Sequence, residues 1–194
     1  MAEQATSPPG QQQQPPGSSG DMNPNPHDEM HSYEGRGLLS GNRALITGGD
    51  SGIGRATAVA FAKEGADVAV VYFDSSEDQD AEHTARLVEQ QDRRCLRYRG
   101  DLASEEFCEQ VVEQVAREFG GLDILVNHAG TQATAPDLRE LSTEAFDRTF
   151  KTNVYSVFWI TRAALPHLRD HGDSFVEPET VGDHVVLGSA RCDV

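Results

Sequence analysis

From Gly41 onward the chain alternates between short apolar runs and longer amphipathic ones. Residues 44–47 (Ala-Leu-Ile-Thr) predict a short buried strand that ends in a glycine-rich turn. The Ala-rich stretch 55–64 predicts a helix stopped by Gly65. Residues 68–73 are β-branched and aromatic and predict a second strand, and a polar stretch from Asp74 leads into a helix over 81–91. A weaker third strand follows at 95–99. Between 105 and 119, Phe107, Val111, Val112 and Val115 recur at the spacing of one helix face. Residues 122–127 predict a fourth strand, and 143–169 a long helix with Pro166 near its end. Strand and helix thus alternate four times, with crossovers long enough for βαβ units. That order implies an α/β fold with a parallel sheet, covered on both faces and connected in the right-handed sense.

The first forty of the 194 residues are different. Residues 1–21 are Gln, Pro, Gly and Ser with almost no apolar side chain, too little to offset the entropy of ordering, so a disordered tail is expected there. Residues 22–39 carry Met30, Tyr33, Leu38 and Leu39 and could lie extended on a neighbouring surface. The division is therefore a disordered or extended tail over 1–40 and a folded domain over 41–194. The net charge of −16 argues against nucleic acid as a partner and against a polybasic membrane contact. No apolar run approaches the ~20 residues of a bilayer span and no signal peptide opens the chain, so the expectation is a soluble, cytoplasmic protein. Three cysteines without CxxC spacing fit a reducing compartment. The seven histidines, His27, His31, His83, His128, His167, His171 and His184, have no tight ligand spacing, and no metal is expected.

Candidate chemistry sits at the end of the first strand, in Thr47-Gly48-Gly49-Asp50-Ser51-Gly52-Ile53-Gly54. Glycines at these places let the chain turn tightly, bring backbone close to a ligand and pack helix against strand. The following helix N-terminus offers free N–H groups and a positive dipole end to a pyrophosphate. Between a strand and an Ala-rich helix this reads as dinucleotide binding by Thr47, Gly48, Ser51, Gly52, Ile53 and Gly54; the alternative is a turn whose glycines serve packing only.

The turn TGGDSGIG resembles the TGxxxGIG cofactor turn of the short-chain dehydrogenase/reductase family, and three more stations agree in order. Gly100-Asp101-Leu102 follows the third strand, Asn127-His128-Ala129-Gly130 closes the fourth and is similar to the family's NNAG, and Lys151-Thr152-Asn153-Val154 resembles the segment of the catalytic helix Asn. The Pro-rich tail, with Ser32-Tyr33-x-Gly35, is similar to the extension of bacterial glucose-dehydrogenase-like and general-stress members. The resemblance covers residues 8–167 and implies a Rossmann-type doubly wound sheet. It also implies an NAD(P)-dependent oxidoreductase that moves a hydride between the nicotinamide and a small alcohol, carbonyl or sugar, and assembles as a homo-oligomer in full-length relatives.

Roles follow residue by residue. The resemblance gives Asp101 and Leu102 to the adenine end, Asn127, Ala129 and Gly130 to the cofactor, and to Asn153 a water in a proton relay. By chemistry alone, Asp101 could accept from an exocyclic amino group or cap the helix starting near Ser104. Asn127 could tie two strands together, or be purely structural, and Asn153 sits inside a helix that Asn does not favour. The position that selects NAD by an acid falls, on the family's count, on Tyr72, which is neither acid nor base. With Asp74 beyond it and Arg55 after Gly54, arguments run both ways, and the missing carboxylate leans toward NADP.

Hydride transfer needs an acid-base group, in this family a Tyr with a Lys four residues on and a Ser nearby. Counting from Asn153, the hydroxyl falls on Thr180, with Ser189 a later candidate. No Tyr follows Tyr155 and no Lys follows Lys151, so the Tyr-x-x-x-Lys pair is absent. The sequence beyond about His171 thus reads either as a truncated or frameshifted form of a longer enzyme, or as a natural short form that binds a nucleotide without reducing anything. In both readings the sheet is incomplete at its C-terminal end. Apolar surface around Phe158, Trp159, Ile160 and Leu165 should then be left uncovered, and reduced stability and self-association are expected.

Overall fold

The computed structural model describes residues 22–24, 26–133 and 135–168 with their side chains, and the backbone of Ser174–Val181 and His184–Ala190. Strand β1 (Arg43–Thr47) leads through the glycine turn into α1 (Gly52–Lys63), then β2 (Asp67–Tyr72), α2 (Asp78–Glu89), β3 (Cys95–Arg99), α3 (Glu105–Phe119) and β4 (Ile124–Asn127). Helices α4 (Thr143–Phe150) and α5 (Ser156–Leu168) follow, then β5 (Ser174–Val181) and β6 (His184–Ala190). The six strands lie in the order β3-β2-β1-β4-β5-β6.

Alternation along the strands builds a core on each face of the sheet. Leu45, Val71 and Leu125 face Val111, Val112 and Val115 of α3 and Ile160 of α5. Their neighbours Ile46, Val70 and Val126 face Ala58 and Ala62 of α1 and Val88 of α2. The registers Leu45↔Ala69 and Leu45↔Leu125 hold the inward positions level across the sheet. Local signals set the helix ends: the Ser104 hydroxyl accepts from the Phe107 N–H at 3.3 Å, with Glu105 and Glu106 in the first turn, and α3 stops at Gly120 in the left-handed conformation (φ 77°).

Two elements depart from the sequence reading. The parallel pattern holds through β5, but β6 pairs antiparallel with β5, Val176↔Ser189 and Thr180↔Val185. Only Gly182 and Asp183 separate the two strands, too short for the crossover that parallel pairing needs. The helix expected over 143–169 is interrupted at Lys151–Tyr155 by a π turn between α4 and α5. Such single turns recur at functional sites, and this one carries Asn153.

Residues 30–40, read from the sequence as the end of a tail, lie against the C-terminal end of α1. The Lys63 ammonium donates to the carbonyls of Met30 and Tyr33 at 2.7 and 2.8 Å. The Glu64 carboxylate accepts from the N–H groups of Arg36 and Leu38 at 2.9 and 2.8 Å, and from the Tyr33 hydroxyl. Residues 1–21 lie outside the described residues.

Candidate functional site

A cavity of about 940 Å³ opens at the C-terminal ends of the strands. It sits where the sheet order reverses, since from β1 the chain first builds outward to β2 and β3 and then returns to β4 on the other side. Open α/β sheets place ligands at such a switch point. Nine of the cofactor residues named from the sequence line this cavity: Gly48, Ser51, Gly52, Ile53, Tyr72, Asp101, Leu102, Ala129 and Gly130. Thr47, Gly54 and Asn127 lie behind it and shape it.

Thr47 acts through its hydroxyl, which accepts from the N–H groups of His128 and Ala129 at 3.0 and 3.1 Å and so fastens the end of β1 to the loop after β4. Gly54 has no room for a side chain, because a Cβ there would stand 1.9 Å from the Gly48 carbonyl oxygen. That contact closes the turn on the first turn of α1 and keeps the helix N-terminus aimed at the cavity. The half-exposed Ile53 side chain forms part of the rim. A glycine cradle of this volume, opening onto a helix N-terminus, fits a pyrophosphate held by backbone N–H groups.

Of the two roles open to Asn127 from the sequence, a strand tie or a purely structural one, the contacts favour the second: its amide donates to the Thr161 hydroxyl on α5 at 3.2 Å, while Thr47 makes the strand tie. Asp101 is not the helix cap, a place that Ser104 fills. One of its oxygens accepts from the Ala103 N–H at 2.9 Å, and the other pairs with Arg148 at 2.6 Å. Arg148 also lies over the Phe73 ring, 5.1 Å from its centroid, so the residue after β2, the loop after β3 and α4 meet at one end of the cavity. The Tyr72 hydroxyl donates to Asp78 at 2.8 Å, and Asp78 in turn pairs with Arg99.

Asn153 is engaged on both sides of its amide. Its oxygen accepts from the Thr131 N–H and its nitrogen donates to the Thr131 carbonyl, each at 2.8 Å. This pair fixes the loop after Gly130 on the cavity wall. Thr180 lies on β5 four residues past the last pairing with β4, and Ser189 on β6 beside Val176. Their side chains lie outside the described residues, as do His171 and the side chain of His184.

Several lining residues were given no role by the sequence. Asp50 and Glu77 bring two carboxyls to the cavity, and burial pushes both above the ordinary carboxyl range. Burial also lowers the pKa of His128, keeping its ring neutral in neutral solution. The Thr152 hydroxyl is buried without a protein partner at the same wall. Arg55, read from the sequence as an argument on cofactor choice, points away from it. Its guanidinium, 3% exposed, pairs with Asp28 at 3.0 Å and Asp80 at 2.8 Å and donates to the Asp50 carbonyl at 2.7 Å. Asp28, from the segment ahead of the domain, also accepts from the Gly52 N–H at 2.9 Å. A one-residue latch 24 positions upstream of the turn has no local pattern to betray it.

The family model described as short chain dehydrogenase matches residues 42–176. The chain belongs to that family. General stress protein 39 of Bacillus subtilis is 47% identical over 174 residues, a match covering 90% of this chain and 60% of that protein. A short chain dehydrogenase from Burkholderia cenocepacia, solved in complex with NADP, is 39% identical with a TM-score of 0.62, over 68% of this chain and 52% of its own. Carveol dehydrogenase from Mycobacterium avium, solved with NAD, is 28% identical with a TM-score of 0.67, over 73% and 55%. The chain spans 60% or less of the length of the first three curated relatives it matches. Among the described residues, no helix is long and apolar enough to cross a membrane, and no three His, Cys, Asp or Glu gather as metal ligands.

Proposed function

We propose that this chain binds a nicotinamide dinucleotide at the strand ends, as the cofactor-binding part of an oxidoreductase that moves a hydride between that cofactor and a small alcohol, carbonyl or sugar. The observation that carries this reading is the glycine turn: a tight cradle at the end of β1, open to the cavity and continuous with the N-terminus of α1. Solved relatives were crystallised with NADP and with NAD, which supports the same class of ligand. When bound, the nicotinamide ring supplies or accepts the hydride.

The chain's own residues bind and orient. Arg148 is the sole cation among the described lining residues, so the pyrophosphate rests on backbone N–H groups and the α1 dipole. Thr47 and Asn153 hold the loop after β4 from its two ends, setting the wall against which the nicotinamide half would lie. A neutral His128 keeps positive charge off that wall.

One observation favours a second reading, nucleotide binding without turnover. These 194 residues have no Tyr after Tyr155 and no Lys after Lys151, so the family's proton-transferring pair has no counterpart in them. The exposed aromatic and apolar side chains of α4, the π turn and α5, among them Phe150, Val154 and Phe158, fit self-association, which sedimentation at increasing concentration reads.

Titrating the purified chain with NADH and following nicotinamide fluorescence tests the binding. Saturable one-to-one binding is expected, and no saturation up to millimolar cofactor overturns it. Sustained NAD(P)H oxidation with sugars, alditols or aldehydes by the same protein would overturn the second reading. The preference for NADP rests on Tyr72 alone; the carboxyls around the ribose end argue the other way.

A further inference from the structure

We infer that Glu77 selects NAD over NADP, its carboxylate standing where the 2′-phosphate of NADP would have to lie. This rests on the dinucleotide reading above. The turn after β2 is where dinucleotide folds meet the adenosine ribose, an acid there accepting from the 2′-hydroxyl and a base there accommodating a 2′-phosphate. In this chain the end of β2 offers Tyr72, whose hydroxyl is spent on Asp78, and Phe73, which is apolar. The acid comes instead from one turn further on. Glu77 lines the cavity, and its Oε2 accepts from the Phe73 N–H at 2.7 Å and the Asp74 N–H at 3.4 Å. Those are the backbone donors that a phosphate at the end of β2 would use, and a carboxylate holds them already. Oε1 is left for the ribose hydroxyl.

The surrounding charge has the same sign. Asp50 lines the cavity beside Glu77, and Asp74 lies at the start of the same turn. Three arginines around the site are engaged by carboxylates: Arg55 on Asp28 and Asp80, Arg99 on Asp78, and Arg148 on Asp101. A dianion placed there would meet carboxylates at short range in a partly buried site, where screening is weak.

Glu77 has a structural duty too, as the third residue of a capping box begun by Asp74. Glu77→Gln separates the two duties, since the amide oxygen still accepts from Phe73 while the charge is gone. Titration of the full chain with NADH and NADPH is read as the ratio of dissociation constants, together with the melting temperature. Wild type should bind NADH about tenfold or more tighter than NADPH, and E77Q should cut that ratio about tenfold, mainly by strengthening NADPH. Equal affinities in wild type, which need no variant to read, would overturn the inference. So would an E77Q protein that loses both cofactors in parallel, the mark of a cap alone. Failure of wild type to bind either cofactor would instead remove the dinucleotide reading itself.

Discussion

The two flanks of the sheet treat charge and apolar surface in opposite ways. Around the N-terminus of α1, Arg55 and Asp28 are charged yet 3% and 6% exposed, fully enclosed by the glycine turn, α2 and the segment ahead of the domain. On the far flank no residue of α4 is buried, and Phe146, Phe150 and Phe158 are 51%, 43% and 60% exposed. Burying a charge is costly unless it is paired and hydrogen-bonded, so a buried pair marks a place where the chain holds one geometry. Here that geometry is the cofactor turn. Exposed aromatic rings mark the reverse, a surface left for another surface to cover. The first flank encloses its charges; the second leaves its rings open to solvent.

Breaking the first flank should have the largest effect. Gly54→Ala puts a Cβ 1.9 Å from backbone that has nowhere to move, and should cost about 3 kcal/mol or more in a denaturant titration, with cofactor binding lost. Asp28→Ala follows. It leaves the buried Arg55 with Asp80 but without its second carboxylate, and frees the Gly52 N–H, so a loss of about 3 kcal/mol is expected. NADH affinity should fall with it. If Asp28→Ala melts like wild type, the latch has no hold on the turn.

A smaller effect distinguishes buried from exposed carboxyls by pH. The Asp50 carboxyl is raised above its ordinary value mainly by desolvation, so the folded state pays for ionising it. That penalty is present above the folded pKa and disappears as the pH falls toward the unfolded value near 3.8. Wild type should therefore gain stability relative to Asp50→Asn on acidification from pH 7 toward 4, read as a shift in the difference of denaturant midpoints. A pH-independent difference would contradict it. The smallest effect belongs to the second flank. Arg162 pairs with Glu105 and Glu109 at 2.6 Å, but all three are about half exposed, and Arg162→Ala should leave the melting curve unchanged.

The same contrast explains which features could be read from the chain. The glycine turn is a local pattern, eight consecutive residues whose spacing alone demands a tight bend before a helix, and the strands around it announce themselves by β-branched runs. Asp28 could not be found that way, because its partner Arg55 is 27 residues distant and nothing near either residue signals the pair. Glu77 was hidden differently: it reads as an ordinary helix-start acid, and only the fold turns it toward the cavity. The π turn escaped because a single widened turn leaves a helical periodicity nearly intact over a long segment. The antiparallel β6 was within reach, since two residues between strands allow only a hairpin.

Amide hydrogen exchange of the full chain with and without NADH tests the central claim most directly, that the cofactor rests in the glycine cradle at the strand ends. Protection should rise in peptides covering residues 48–54, 100–102 and 128–131, with the exposed surface of α4 unchanged. Binding that leaves the 48–54 peptide as exchangeable as in the free protein would contradict it.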